Sequence, residues 1–298
     1  MKYLYLDHNI YIETLENMEL RERLKSLSEE NLQCVYSPAH IEEIYKVEAN
    51  ENSPHKDKMK ELMNIISEVT NNMEILPTDS ELMITKEPPK RCYSRVKGID
   101  TRERVEQDSK IKFDVDTANY KKALDADKHN SSISTIEPDK IWEFPSVKVI
   151  IDEFNENREK IIGRYNNSLE VQLLELLNVD KKLPDSFCLQ QGNFAMLKSS
   201  HKQLEYTIET LFRILNYSGY NAEKSEKTTI SGTHDVSHSI YATKADYFLS
   251  TDRRFVKKCQ AVYHFLGLNK SVIYCRQEEI IDEINKLLAR LKNANHNL

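Results

Sequence analysis

The sequence predicts an α/β fold, a central parallel β-sheet flanked by helices, on three observations. Apolar runs of strand length alternate with stretches of helical periodicity at both ends of the chain, the rhythm of a sheet whose crossovers are helices. Acids close two of the runs, Asp7 after Tyr3-Leu4-Tyr5-Leu6 and Asp252 after Tyr247-Phe248-Leu249, at the strand ends where α/β proteins collect their chemistry. The middle of the chain loses the rhythm without repeating it. At about 150 residues per domain, 298 residues hold two domains or one with a large insertion. The pattern favours the second: residues 1–80 and 201–298 as two parts of one domain, and 81–200 as a mostly helical insertion.

The first strand is followed by a helical pattern to Ser28, with Ile12, Leu15, Leu20, Leu24 and Leu27 recurring every three to five residues. Cys34-Val35-Tyr36 is a second strand. Ser37-Pro38 opens the next helix, serine as N-cap and proline at the first helical position. Residues 56–70 form an amphipathic helix. Pro88-Pro89 breaks the chain, and Lys86, Lys90, Arg91, Arg95 and Lys97 crowd together. Residues 100–140 are polar and weakly periodic, and helical patterning resumes from 146 to 217. Thr233 is placed as the cap of a helix from His234 to Lys244. The strand Tyr247-Phe248-Leu249, a helix from Phe255 to Leu266, the strand Ser271-Val272-Ile273-Tyr274 and a charged helix from Glu278 to Leu291 complete the domain.

Composition removes several classes. The six glycines lie no closer than Gly219 and Gly232, so a dinucleotide-binding turn, a phosphate loop and a nucleophile elbow in standard form are absent. The five cysteines are odd in number, scattered and without a CxxC pair, which argues against a disulfide framework or a structural zinc site. A net charge of −6 excludes a globally basic coat but not a local basic patch. With a mean hydropathy of −0.63 and no apolar run of spanning length, the chain is expected to be soluble and cytoplasmic, with no membrane partner.

The acids converge in this topology. Asp7 and Asp252 follow strands, Glu43 lies one to two turns into the helix after the second strand, and Asp235 opens a helix entering from the same edge. Four carboxylates in one place raise one another's pKa and call for cations; hard oxygen ligands suit Mg²⁺ or Mn²⁺. Leu6-Asp7-His8-Asn9, Ser37-Pro38-Ala39-His40-Ile41-Glu42-Glu43, Asp235-Val236-Ser237-His238 and Ser250-Thr251-Asp252, in this order, resemble the four motifs of PIN-domain nucleases over residues 1–75 and 225–290. The resemblance implies a PIN-like sheet and a metal-dependent endoribonuclease. In that reading Asp7, Glu43, Asp235 and Asp252 are catalytic metal ligands, and Asn9 and Thr251 support them. RNA is favoured over DNA as partner. The long insertion and His238, one helical turn after Asp235, depart from the compact members and leave the substrate and the coordination open. Arg253 and Arg254, just past Asp252, are placed to grip a phosphate backbone.

Each residue also has a plainer reading. Asp7 can cap its helix, Asp235 can complement a helix dipole, Asp252 can be a turn residue, and one of Glu42 and Glu43 is expected to be solvated. His40 is expected to pack or point outward, and the single tryptophan, Trp142, to serve packing rather than base stacking. Two other functions compete. An inactive PIN-like scaffold would bind RNA or protein without cleaving. A His-Asp metal phosphohydrolase is suggested by the doublet His234-Asp235, but that fold is all-helical. The insertion is open as lid, substrate clamp or dimer interface, and a homodimer or a regulatory protein partner is also open.

Overall fold

The computed structural model describes residues 1–50, 53, 56–78, 80–98, 133–176, 182–222 and 226–296. Its centre is a four-stranded, all-parallel sheet in the order β2-β1-β5-β6. These strands are β1 (Lys2–Leu6), β2 (Leu32–Val35), β5 (Tyr247–Ser250) and β6 (Ser271–Tyr274). Leu4, Tyr5 and Leu6 are fully buried, as expected of a strand covered on both faces. From β1 the chain winds outward to β2 on one side, and from β5 to β6 on the other. The crevice between β1 and β5 is therefore a topological switch point, and ligands bind outside the carboxyl ends of strands at such a point.

The helical pattern from 8 to 28 divides in two: α1 (His8–Glu13) and α2 (Met18–Ser26), followed by a 3₁₀ turn over Leu27–Glu30. Asn17 restarts the helix by accepting the Leu20 N–H at 3.0 Å. Beyond β2 come α3 (Pro38–Ala49) and α4 (Met59–Thr70). Met59, Leu62, Ile65, Ile66 and Val69 form the buried stripe of α4.

The sequence reading missed an antiparallel hairpin of β3 (Met73–Pro77) and β4 (Leu82–Lys86). It is tied to the end of β2 where Tyr36 donates its N–H to Met73 and accepts the Ile75 N–H at 2.7 Å. After it, α5 (Pro89–Gly98) carries the basic run, and Arg95 there pairs with fully buried Glu74 at 2.5 Å. That arginine is a buried carboxylate's partner rather than a free phosphate ligand. The polar stretch over 99–132 lies outside the described residues.

Beyond β4 and α5 the described part of 81–200 is helical: α6 (Pro145–Glu156), α7 (Arg158–Asn166), α8 (Leu169–Leu176) and the short α9 (Phe194–Leu197); α10 (His201–Tyr217) follows it. The insertion does not stand apart. Ile141, Trp142, Phe187 and Leu197 belong to the same apolar cluster as Tyr5, Val35 and Phe248 of the sheet. Trp142 is core: its indole N–H donates to Ala261 O at 2.7 Å and its ring lies 4.8 Å from that of Phe265.

Returning to the sheet, the chain forms α11 (Glu226–Ala242), α12 (Arg253–Leu266) and α13 (Ile280–His296). Helix α11 starts well before Thr233, so Thr233 is an interior position, not a cap. Among the described residues no helix is long and apolar enough to cross a membrane.

Candidate functional site

Asp7 stands at the switch point. It occupies the N-cap position of α1 with an extended backbone (φ −63°, ψ 149°), yet its side chain caps nothing. Its Oδ2 instead accepts the Ser250 hydroxyl at 2.6 Å, across the crevice from β1 to β5. Ser250 Oγ also accepts the Asp252 N–H at 3.1 Å, so one hydroxyl positions the acids at both strand ends. The supporting hydroxyl is thus Ser250, not the expected Thr251. Asn9, the other expected support, is exposed on the first turn of α1.

Glu43 is brought in by α3. Ser37, two residues past β2, is the extended N-cap of α3, Pro38 occupies the first helical turn, and His40 Nδ1 accepts the Ser37 N–H at 3.1 Å. His40 is fully buried, and its Nε2–H donates to Leu6 O at 2.8 Å, tying α3 to the end of β1. Burial, with the neighbouring His238 charge next, holds His40 well below the ordinary histidine pKa, so the ring is the neutral Nε2–H tautomer. One turn further on, Glu43 meets His238 of α11: Oε1 to Nε2, 2.7 Å.

His238 has a second partner. Its Nδ1 lies 2.7 Å from the Tyr5 hydroxyl, which lies 2.6 Å from Ser37 Oγ. Tyr5, Ser37 and His238 are all buried. Burial acts to raise the Glu43 pKa, but His8, the His238 hydrogen bond and His234 together hold it far below the usual carboxylate range. Glu43 is therefore ionised and accepts from Nε2–H. With His238 neutral, Nδ1 accepts from Tyr5, and Tyr5 accepts from Ser37.

The remaining acids surround the same pole. Burial raises the Asp7 pKa, opposed by His238 and the Ser250 bond and reinforced by Glu43. Asp235 lies on the face of α11 that carries His238 and acts with Glu43 and Asp7 to raise the His238 pKa against burial. Since α11 begins at Glu226, Asp235 is beyond the first turn, and the helix-dipole reading fails for it. Asp252 is exposed and does cap α12, its Oδ1 accepting the Arg254 and Phe255 N–H groups at 2.8 and 3.0 Å. The buried Cys259 thiol, raised first by burial, also feels Asp235, Asp7 and Asp252. Arg253 and Arg254 are exposed on the first turn of α12. Glu42 is partly buried rather than fully solvated, and burial raises its pKa.

The acids do not sit among themselves as expected. Histidines share the pole: His8 and His234, both held low chiefly by burial, His234 to about 4, with His40 and His238. Of these only His238 has its pKa raised, by Glu43, Asp7 and Asp235 against burial, so it alone among the four rings offers a positive charge to the acids. Among the described residues, no three His, Cys, Asp or Glu side chains are disposed to hold a metal ion. The donor chemistry nevertheless suits one. Ser250 engages one oxygen of Asp7 and His238 one oxygen of Glu43, and buried His8 Nδ1 has no hydrogen-bond partner among the described residues. Sequence reasoning passed over Ser250, Tyr5 and His8. Only Ser250 left a signal, as the second hydroxyl before Asp252. No family model matches the chain, and no curated protein or solved structure was found similar to it.

Proposed function

We propose that the chain is a metal-dependent nuclease of PIN-like organisation, an endoribonuclease hydrolysing RNA in preference to DNA. The observation that carries this reading is the Asp7–Ser250 bond. A buried aspartate at the carboxyl end of the central strand forgoes its helix cap and is aimed instead at the switch-point crevice, with Glu43, Asp235 and Asp252 around the same pole. The order of the four motifs and the choice of RNA rest on the family resemblance.

Asp7, Glu43 and Asp235, with the Asp252 oxygen not used in capping, are the residues that would hold one or two Mg²⁺ or Mn²⁺ ions. Such ions supply an acidified water for attack on phosphorus and neutralise charge on the leaving oxygen. The chain's own groups do the rest. His238 fixes the rotamer of Glu43, Ser250 fixes Asp7, and Arg253 and Arg254 offer exposed guanidinium groups to backbone phosphates.

The test is cleavage of single-stranded and structured RNAs and DNAs with Mn²⁺, Mg²⁺ or EDTA, alongside Asp7→Asn. Metal-dependent cleavage lost in Asp7→Asn is expected. A second reading, an inactive PIN-like scaffold, is favoured by one observation: Glu43 and Asp252 already have protein donors. It predicts no cleavage of any substrate and no metal heat in calorimetry.

A further inference from the structure

A second concave site lies at the opposite pole of the sheet. It is a cavity of about 650 Å³ whose lining includes Phe194, Lys198, Ser199, Thr243, Lys244 and Lys270. Thr243 and Lys244 precede β5, and Lys270 immediately precedes β6. The cavity therefore opens at the amino ends of β5 and β6, and the carboxyl end of β5 carries Ser250 and Asp252. At about 3.3 Å per residue, the length of a strand separates the two sites.

The lining carries three lysines against one carboxylate, Glu81, in a protein of net charge −6. Glu81 reaches Lys244 at 3.5 Å with both side chains partly exposed, an ion pair of the weak, displaceable kind. Among the described residues, the side chains of Lys198 and Lys270 have neither a hydrogen bond nor an ion pair. Lys270 is partly buried; burial lowers its pKa, and although Asp246 opposes this, Lys2 and Lys244 push it down further. Three lysine side chains lining one concavity, with Lys244 acting against the charge on Lys270, are an arrangement that an anion relieves. The walls are not only cationic. Phe194, Leu82 and Leu204 supply apolar surface, while the Ser199 and Thr243 hydroxyls already donate to Met196 O and Ile240 O. The volume falls within the roughly 300–1,000 Å³ of small-molecule sites.

We propose that this cavity binds a nucleotide, with Lys198, Lys244 and Lys270 receiving the phosphate and Phe194 and its apolar neighbours the base. The inference stands apart from the nuclease reading and needs no metal. Its ligand is either a free mononucleotide or one nucleotide of a strand, and the two present the same chemistry.

The experiment is titration calorimetry of the full chain in EDTA with AMP, UMP, adenosine, inorganic phosphate and a 5′-phosphorylated RNA tetramer. Wild type, Lys198→Ala/Lys270→Ala, Phe194→Ala and Asp7→Asn are compared, with thermal melts to confirm folding. One AMP or UMP site is expected, weakened about tenfold or more by the double lysine substitution. It should weaken also with Phe194→Ala, be unchanged by Asp7→Asn, and be tighter than adenosine or inorganic phosphate. Competition by the tetramer assigns the site to a strand, and lack of competition to a free nucleotide; either supports the proposal. Absence of AMP and UMP binding, equal binding by the double lysine variant, or adenosine binding as tightly as AMP would overturn it. Loss confined to Asp7→Asn would place the nucleotide at the carboxyl pole and overturn it equally.

Discussion

Ser250 shows how much one hydroxyl does at this pole. It donates to the buried Asp7 carboxylate and accepts from the Asp252 N–H. Ser250→Ala leaves a buried charge short of a donor, at a cost of about 1.5–3 kcal/mol, and lifts the already raised Asp7 pKa. Thr251→Ala should stay within about 0.5 kcal/mol; urea denaturation of the two variants separates them. The histidines set a pH dependence. His8, His40 and His234 are held below the ordinary value of 6.5, His234 at about 4. The unfolded chain therefore takes up protons below pH 6.5 that the fold refuses, and stability falls as pH falls. Each excluded proton adds about 1.4 kcal/mol per pH unit to the slope. Below pH 4.5, protonation of Glu43 in the unfolded chain adds to the loss, since its folded pKa is depressed. His238 works the other way: its pKa is raised in the fold, so its contribution is present below 6.5 and fades as pH rises. Three depressed histidines against one raised predict a denaturation midpoint that drops between pH 7 and pH 5. A midpoint flat over that range would contradict the burial of these rings. Beyond the hydroxyls before Asp252 and the placing of His238 one turn from Asp235, these contacts were not legible in the sequence, because Tyr5 and His238 lie 233 positions apart and Asp7 and Ser250 lie 243 apart. What the sequence does display is the order of the acids, each marked by a strand end or a helix start.

At the scale of elements, Asp252 carries two roles that substitution can part. As N-cap of α12 it accepts two backbone N–H groups. Asp252→Ala removes the cap and should cost about 1 kcal/mol, whereas asparagine caps nearly as well. Asp252→Asn should therefore keep stability and, if this acid serves a metal, lose cleavage. A variant stable and fully active would leave Asp252 a cap alone. The hairpin of β3 and β4 carries a buried acid whose cationic partner, Arg95, is exposed. Glu74 is fully buried, with Arg95 on one oxygen and the Tyr36 hydroxyl on the other at 3.3 Å. Arg95→Ala leaves that carboxylate with the Tyr36 hydroxyl alone, at a cost of about 1.5–3 kcal/mol, readable as a lowered thermal midpoint. The elements differ in how openly the sequence displays them. The strand at Ser271–Tyr274 stands out because it is an isolated apolar run between polar stretches. The hairpin does not: Pro77 and Glu74 read as breaks, and only the pairing partner explains them. The start of α11 was missed because Thr228, Thr229, Ile230 and Gly232 are poor helix formers, yet the helix runs through them.

For the whole molecule the decisive feature is the shared core. A chain read as a sheet domain interrupted at 81–200 suggests that the interruption can be cut away. The apolar cluster argues otherwise, because Ile141, Trp142, Val147, Phe187 and Leu197 pack in one body with Tyr5 and Phe248 of the sheet. Replacing 81–200 by a short linker would uncover that face of the sheet and should leave a chain without a cooperative transition. The sequence could not show this, because periodicity reveals that a helix has an apolar face but not which element covers it. Trp142 makes the claim measurable in the intact protein. It is the single tryptophan, it lies within the insertion, and it is bonded to Ala261 of α12, so its emission reports the docking of one part on the other. If the two parts were separate folding units, urea would shift Trp142 emission at a concentration different from that of the main loss of helical circular dichroism. A common core requires the two signals to fall together, with one midpoint and one slope, which is the test of a single cooperative unit. The insertion would then be part of the scaffold that holds α11 and α12, and with them Asp235, His238 and Asp252, against the sheet.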